Sequence, residues 1–82
     1  TKGTVNASLI APREIFIQAL KAGAVSIVLV HNHPSGDDTP SREDLAATEK
    51  VRSAGELIGI RLIDHIIIGS GHFTSLCGSW NH

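Results

Sequence analysis

The order of extended and helical stretches in this 82-residue chain predicts one small three-layer α-β-α domain, α/β or α+β, built on a mixed sheet. Three observations carry that expectation. Ala24 to Val30 is almost wholly apolar and rich in β-branched residues, the pattern of a central strand covered on both faces. Asp44, Thr48, Val51, Gly55 and Ile58 recur at helical spacing and define one stripe of a long helix, with Glu49, Arg52, Ser53 and Glu56 opposite. Gly69-Ser70-Gly71 then separates two β-rich stretches as a hairpin turn would.

Taken in order, the chain opens with a weak strand over Gly3 to Ile10, supported by Thr4, Val5 and the pair Leu9-Ile10. Pro12 suits the first turn of a helix that runs through Arg13 to Ala22 and stops at Gly23. Ile15, Phe16, Ala19 and Leu20 form its inward face and Glu14, Gln18 and Lys21 its outward one, with Ile17 breaking the pattern. The central strand follows. A second helix is expected from Ser41 to Ile58 with Gly59 as its end. Arg61 to Ile68 and His72 to Leu76 complete the sheet, giving the order β, α, β, α, β, β.

Composition narrows the functional classes. Apolar residues make up 41% and charged residues 18%, the balance of a soluble globular domain, and the longest apolar runs are too short to span a bilayer, so no membrane association is expected. Seven basic and eight acidic residues are dispersed along the chain for a net charge of −1, which gives no electrostatic footprint for direct nucleic-acid binding. A single cysteine, Cys77, allows no internal disulfide, and no signal-peptide pattern opens the chain; a reducing, cytoplasmic setting is expected. The sequon Asn6-Ala7-Ser8 reads as a chance match.

The chemistry concentrates at His31-Asn32-His33-Pro34. Two imidazoles two apart point to the same side of an extended strand, because strand side chains alternate. Pro34 ends the strand, Gly36 permits a turn, and Pro40-Ser41 opens the long helix. Asp44 therefore sits at the top of a buried stripe, where a carboxylate needs a cation or hydrogen-bond donors. Two neutral imidazoles do not satisfy it, whereas a metal ion held by His31, His33 and Asp44 does. Two histidines and one carboxylate leave a fourth tetrahedral position for water, the arrangement of catalytic zinc sites. The same three residues also suit a non-haem iron oxygenase, whose facial triad has this composition.

Plainer readings stand beside these. Ser41 and Asp44 have the form of a capping box. Asp37 and Asp38 suit a solvated turn. Asp64-His65, a polar pair inside an apolar strand, either orients a ligand from behind or is an edge-of-core pair. His72 and His82 are expected on the surface, and Cys77 as an inert thiol. His31-Asn32-His33 spells the name of the HNH nucleases, but that motif is spread over a longer strand and helix, so the letters coincide without meaning.

With seven residues between His33 and Ser41 and two between Ser41 and Asp44, the set resembles the His-x-His-x7-Ser-x2-Asp core of the JAMM motif in the JAB/MPN metalloprotease superfamily. More closely, the run from His31-Asn32-His33-Pro34-Ser35-Gly36 through Asp44, together with Leu62-Ile63-Asp64-His65-Ile66-Ile67-Ile68-Gly69, resembles the bacterial RadC family. Gly3-Thr4 and Pro12-Arg13-Glu14 fit it too, whereas the tail from Cys77 to His82 departs from the family's usual ending. The resemblance implies a cytidine-deaminase-like, JAB/MPN-like α/β fold over residues 1–82 that lacks its N-terminal strands. It implies Zn2+ held by His31, His33, Asp44 and a water, with Ser41 donating to the oxyanion. The activity implied is a zinc-dependent metallohydrolase cutting peptide or isopeptide bonds in a peptide-like substrate. The glutamate that serves such enzymes as general base is expected upstream of Gly3-Thr4, before this chain begins. The alternative that the resemblance carries is a non-catalytic interaction module in DNA repair.

Overall fold

A computed structural model describes residues 2–6 and 11–78. The elements are β1 (Lys2–Asn6), α1 (Pro12–Lys21), β2 (Ser26–Asn32), α2 (Arg42–Ile58), β3 (Arg61–Ile68) and β4 (Phe73–Ser75), which is the expected order. The four strands form one sheet in sequence order, with β1, β2 and β3 parallel and β4 antiparallel to β3. The domain is thus a small α/β unit on a mixed sheet. The remainder of the first expected strand, and with it most of the Asn6 sequon, lies outside the described residues.

Both helices pack on the same face of the sheet. Ile15, Phe16 and Ala19 from α1 and Val51 from α2 share one buried cluster with Ile27 and Leu29 of β2 and Leu62 of β3. Burying each of these side chains larger than alanine contributes roughly 1.5–3 kcal/mol. Of the three expected layers, the described residues supply the sheet and this helical layer. No helix among them is long and apolar enough to cross a membrane.

Two expected inward residues turn out exposed. Leu20, in the last turn of α1, is 59% exposed because the helix stops at Gly23 (φ +67°) before anything described covers that flank. Ile58 is 47% exposed while Ile60 is 3% exposed. The cause is the end of α2: Gly59 adopts φ +87°, and the amides of Gly59 and Ile60 both donate to the Gly55 carbonyl at 2.8 Å, so the chain reverses and Ile60 fills the core position. Gly55 itself is required there, since a Cβ on it would lie 2.2 Å from the Ile60 carbonyl oxygen.

Two features aim the strand ends. The pairing of β2 with β3 shifts between Ile27 and Val28, so that Leu29 lies opposite His65 and His31 opposite Ile67, on the helix-facing side. The strand also runs two residues further than its apolar stretch suggests, through His31 and Asn32. Both histidines and the N-terminus of α2 consequently meet at the C-terminal edge of the parallel strands, where open α/β sheets place their ligands.

Candidate metal centre

The first turn of α2 brings the helix to the histidines. Ser41 is its N-cap: the Ser41 hydroxyl accepts from the Asp44 amide at 3.1 Å, and Asp44 Oδ2 accepts from the Ser41 amide at 2.8 Å, a complete capping box. The same carboxylate, 2% exposed as a residue, reaches both imidazoles. His31 Nδ1 is 3.0 Å from Asp44 Oδ1, and His33 Nε2 is 3.0 Å from Asp44 Oδ2. Capping and the meeting with the histidines therefore coexist at Asp44.

Proton placement bears on what the cluster could hold. His33 Nδ1 lies 2.8 Å from the Asp37 carbonyl oxygen, which only accepts, so Nδ1 carries the hydrogen. In the neutral ring Nε2 then turns a lone pair toward a carboxylate oxygen 3.0 Å away. Two acceptors at that distance repel unless the ring is protonated or a cation lies between them. The ligand atoms of His31, His33 and Asp44 all fall within 4.8 Å of one another, a span that a divalent cation with bonds of roughly 2.0–2.2 Å bridges. The donor set fits such an ion, and the Asp37 carbonyl fixes the tautomer as backbone acceptors do behind metal-bound histidines. Burial pushes the Asp44 carboxyl up, but the Ser41 amide and hydroxyl, with His31 and His33, hold it below the usual aspartate value.

The loop between β2 and α2 is fastened on its far side. Asp37 behaves as a turn residue, its Oδ1 accepting from the Thr39 amide at 2.9 Å and hydroxyl at 2.6 Å, and these bonds lower its carboxyl. Asp38 does not lie in solvent as expected. It is half-buried, accepts from Thr74 Oγ1 at 2.7 Å and stands 3.3 Å from His72 Nδ1, because the β3–β4 hairpin folds back against the loop. The Ser70 amide donates to the Gly36 carbonyl at 2.7 Å, and a Cβ on Gly69 would come within 2.5 Å of that same oxygen. His72 is exposed as expected apart from this pairing, and His82 lies outside the described residues.

Asp64 and His65 part company. Asp64 is fully buried; its carboxylate accepts from the Ser75 hydroxyl, from the Cys77 amide at 2.8 Å and from the His65 amide at 2.7 Å. It ties β3 to β4 rather than serving its neighbour's ring. His65, also fully buried, turns to Thr48, with Nδ1 2.7 Å from Oγ1. Sequence reasoning placed Thr48 on the buried stripe without giving it a role; a hydroxyl one turn below Asp44 on an otherwise apolar face was the available signal. Cys77 is half-buried and accepts from Arg52 Nη2 at 3.4 Å.

A sheet-end His-x-His opposed by a helix-cap aspartate gives this small α/β domain a group that could hold a metal ion, and comparison with known proteins gives the family. A family model described as a RadC-like JAB domain matches residues 1–80. The chain belongs to the RadC-like JAB domain family. It is 53% identical over 75 residues to a UPF0758 protein of Pelobacter propionicus, and 55% identical over 75 residues to one of Staphylococcus epidermidis, each match covering 92% of this chain and 33% of the relative. A UPF0758 protein of Desulforamulus reducens is 58% identical over 74 residues, which is 90% of this chain and 33% of that protein. The chain thus spans about a third of the length of the curated relatives it matches.

Proposed function

We propose that this chain is the metal-holding part of a zinc-dependent hydrolase of the JAMM type, acting on peptide or isopeptide bonds. The observation that carries the reading is the Asp44 carboxylate placed 3.0 Å from a ring nitrogen of each histidine, with the His33 tautomer set so that its lone pair faces the carboxylate. His31, His33 and Asp44 would hold the ion. A bound zinc would supply Lewis acidity and lower the pKa of its water to about 7, so that a nucleophile exists at neutral pH.

The remaining work falls to the chain's own residues. Asp37 holds the His33 ring in the tautomer that presents Nε2, and the capping box keeps Asp44 in register with both rings. The Ser41 hydroxyl accepts from the Asp44 amide, and its proton would turn from the Asp44 carboxylate to the oxyanion of a substrate carbonyl. Removing one such donor raises a barrier by roughly 2.7–4 kcal/mol. Proton shuttling requires a second carboxylate. Glu14, the upstream candidate, is exposed on α1, and we assign that role to the family's glutamate in polypeptide outside the described residues. The substrate class on this reading is peptide-like, without direct nucleic-acid binding by this domain, and the single thiol suits the cytoplasm.

The test is metal analysis of the full-length protein together with turnover of a peptide or isopeptide substrate. Stoichiometric zinc and hydrolysis that disappears in Ser41→Ala and His33→Ala are expected. Iron in its place, with oxygen consumption, would assign the site to an oxygenase; a protein that binds no metal would leave the interaction-module reading.

A further inference from the structure

Behind the three ligands runs a buried polar chain that they do not use. His65 lies on β3 with 0% exposure, and its ring stacks 6.2 Å from that of His31 at an interplanar angle of 20°. Thr48 Oγ1 stands 2.7 Å from His65 Nδ1 and 2.7 Å from the carbonyl oxygen of Asp44. A hydroxyl has one proton and a carbonyl none, so the Thr48 proton goes to Asp44 and His65 Nδ1 donates to Thr48. His65 Nε2 is left as a bare lone pair with no hydrogen-bond partner among the described residues. Desolvation by burial, outweighing the pull of Asp44, lowers the proton affinity of this ring, the direction that keeps it neutral. An apolar side chain of similar size would fill the space without burying an unsatisfied acceptor. The ring is therefore a poor packing element, and its one hydrogen bond leads through a single hydroxyl to the backbone of the ligand carried by α2.

We propose that Thr48 and His65 are positioning residues of the metal centre, pinning the first turn of α2 to β3 so that the Asp44 carboxylate meets both imidazoles. The proposal rests on the metal-binding reading above. It gives stability and metal affinity opposite signs, which a purely structural histidine would not do. His65→Leu removes the unsatisfied acceptor and leaves the Thr48 bond to Asp44 intact, so the fold should melt no lower while the ligand loses its brace.

The experiment is titration of the full-length protein with Co2+, reading affinity and the visible bands that report coordination geometry. His65→Leu should bind about tenfold or more weakly, within the range found when partners of metal ligands are removed, with altered bands and an undiminished melting temperature. His65→Asn, whose amide nitrogen takes the place of Nδ1, should keep wild-type affinity and bands. Nitrogen NMR of the metal-free protein should find His65 Nδ1 protonated and Nε2 bare. Wild-type affinity and bands in His65→Leu, or a proton on Nε2, would overturn the proposal. Should His65→Leu fail to fold, Thr48→Val against Thr48→Ser decides: weakened binding in the first alone supports the proposal, and equal affinities refute it. A wild-type protein that takes up no Co2+ overturns the metal-binding reading itself, distinguishable because it fails before any variant is compared.

Discussion

Replacing Asp44 with alanine separates its two duties, because one is lost with or without metal and the other only with it. In the metal-free protein, Asp44→Ala deletes the bond from the Ser41 amide and the negative charge at the start of α2. Loss of a cap costs about 1 kcal/mol, and the charge at a helix N-terminus is worth roughly 0.3–1 kcal/mol more. A net loss of about 1–2 kcal/mol lowers the melting temperature of a domain this size by roughly 4–16 °C. Asp44→Asn keeps an oxygen for the Ser41 amide and should lose much less. Zinc at a hundred times its dissociation constant should then add about 2.7 kcal/mol to the wild type, on the order of 10–20 °C. Neither variant should show that increment. The assay is thermal unfolding with and without zinc, alongside metal analysis of the dialysed proteins. If both variants gain from zinc as the wild type does, Asp44 is a helix cap and the ligand set is wrong.

Other outcomes follow from the same geometry. Because the Asp44 carboxyl is held below its ordinary value near 3.8, the stability it contributes is present above that value and is lost as pH falls through the lowered native one. Acid unfolding should therefore soften in Asp44→Asn, as read by melting curves from neutral pH downward. Gly55→Ala gains about 1 kcal/mol of helix propensity but drives a Cβ to 2.2 Å from the Ile60 carbonyl, and overpacking of roughly 1–3 kcal/mol should win, lowering the denaturation midpoint. Asp38→Ala frees the loop from Thr74 and His72 and should accelerate amide exchange at Gly36 and Ser70 while α2 stays protected. These 82 residues by themselves should bind zinc without peptidase turnover, and full turnover would show that the shuttling carboxylate lies among them.

Much of this arrangement was legible in the amino acids because the strongest signals were local. The alternation that puts His31 and His33 on one side of a strand, and the spacing that puts Asp44 and Thr48 on the stripe of Val51, follow from backbone geometry alone. Boundaries set by glycine were equally plain at Gly23 and Gly59. What escaped depends on pairing between distant segments. Nothing near Asp38 announces Thr74, and nothing beside His65 announces that its ring ignores Asp64 and seeks a hydroxyl on α2. Leu20 and Ile58 failed for a related reason: periodicity continues to the end of a helix, but cover does not. The bulge in β2–β3 pairing, which fixes what lies opposite His31, leaves no trace in either strand's composition.

The division of the proposed ligand set between a strand end and a helix cap has a kinetic corollary. A cation gripped there need not wait for the domain to unfold before it escapes, since opening the first turn of α2 withdraws the carboxylate while the sheet stays whole. Helix ends fray at far lower free energy than cores open. On the proposed reading, the lifetime of a bound ion would be governed by how often that turn lifts, and chelators should strip it at a rate that follows the strength of the Ser41 cap.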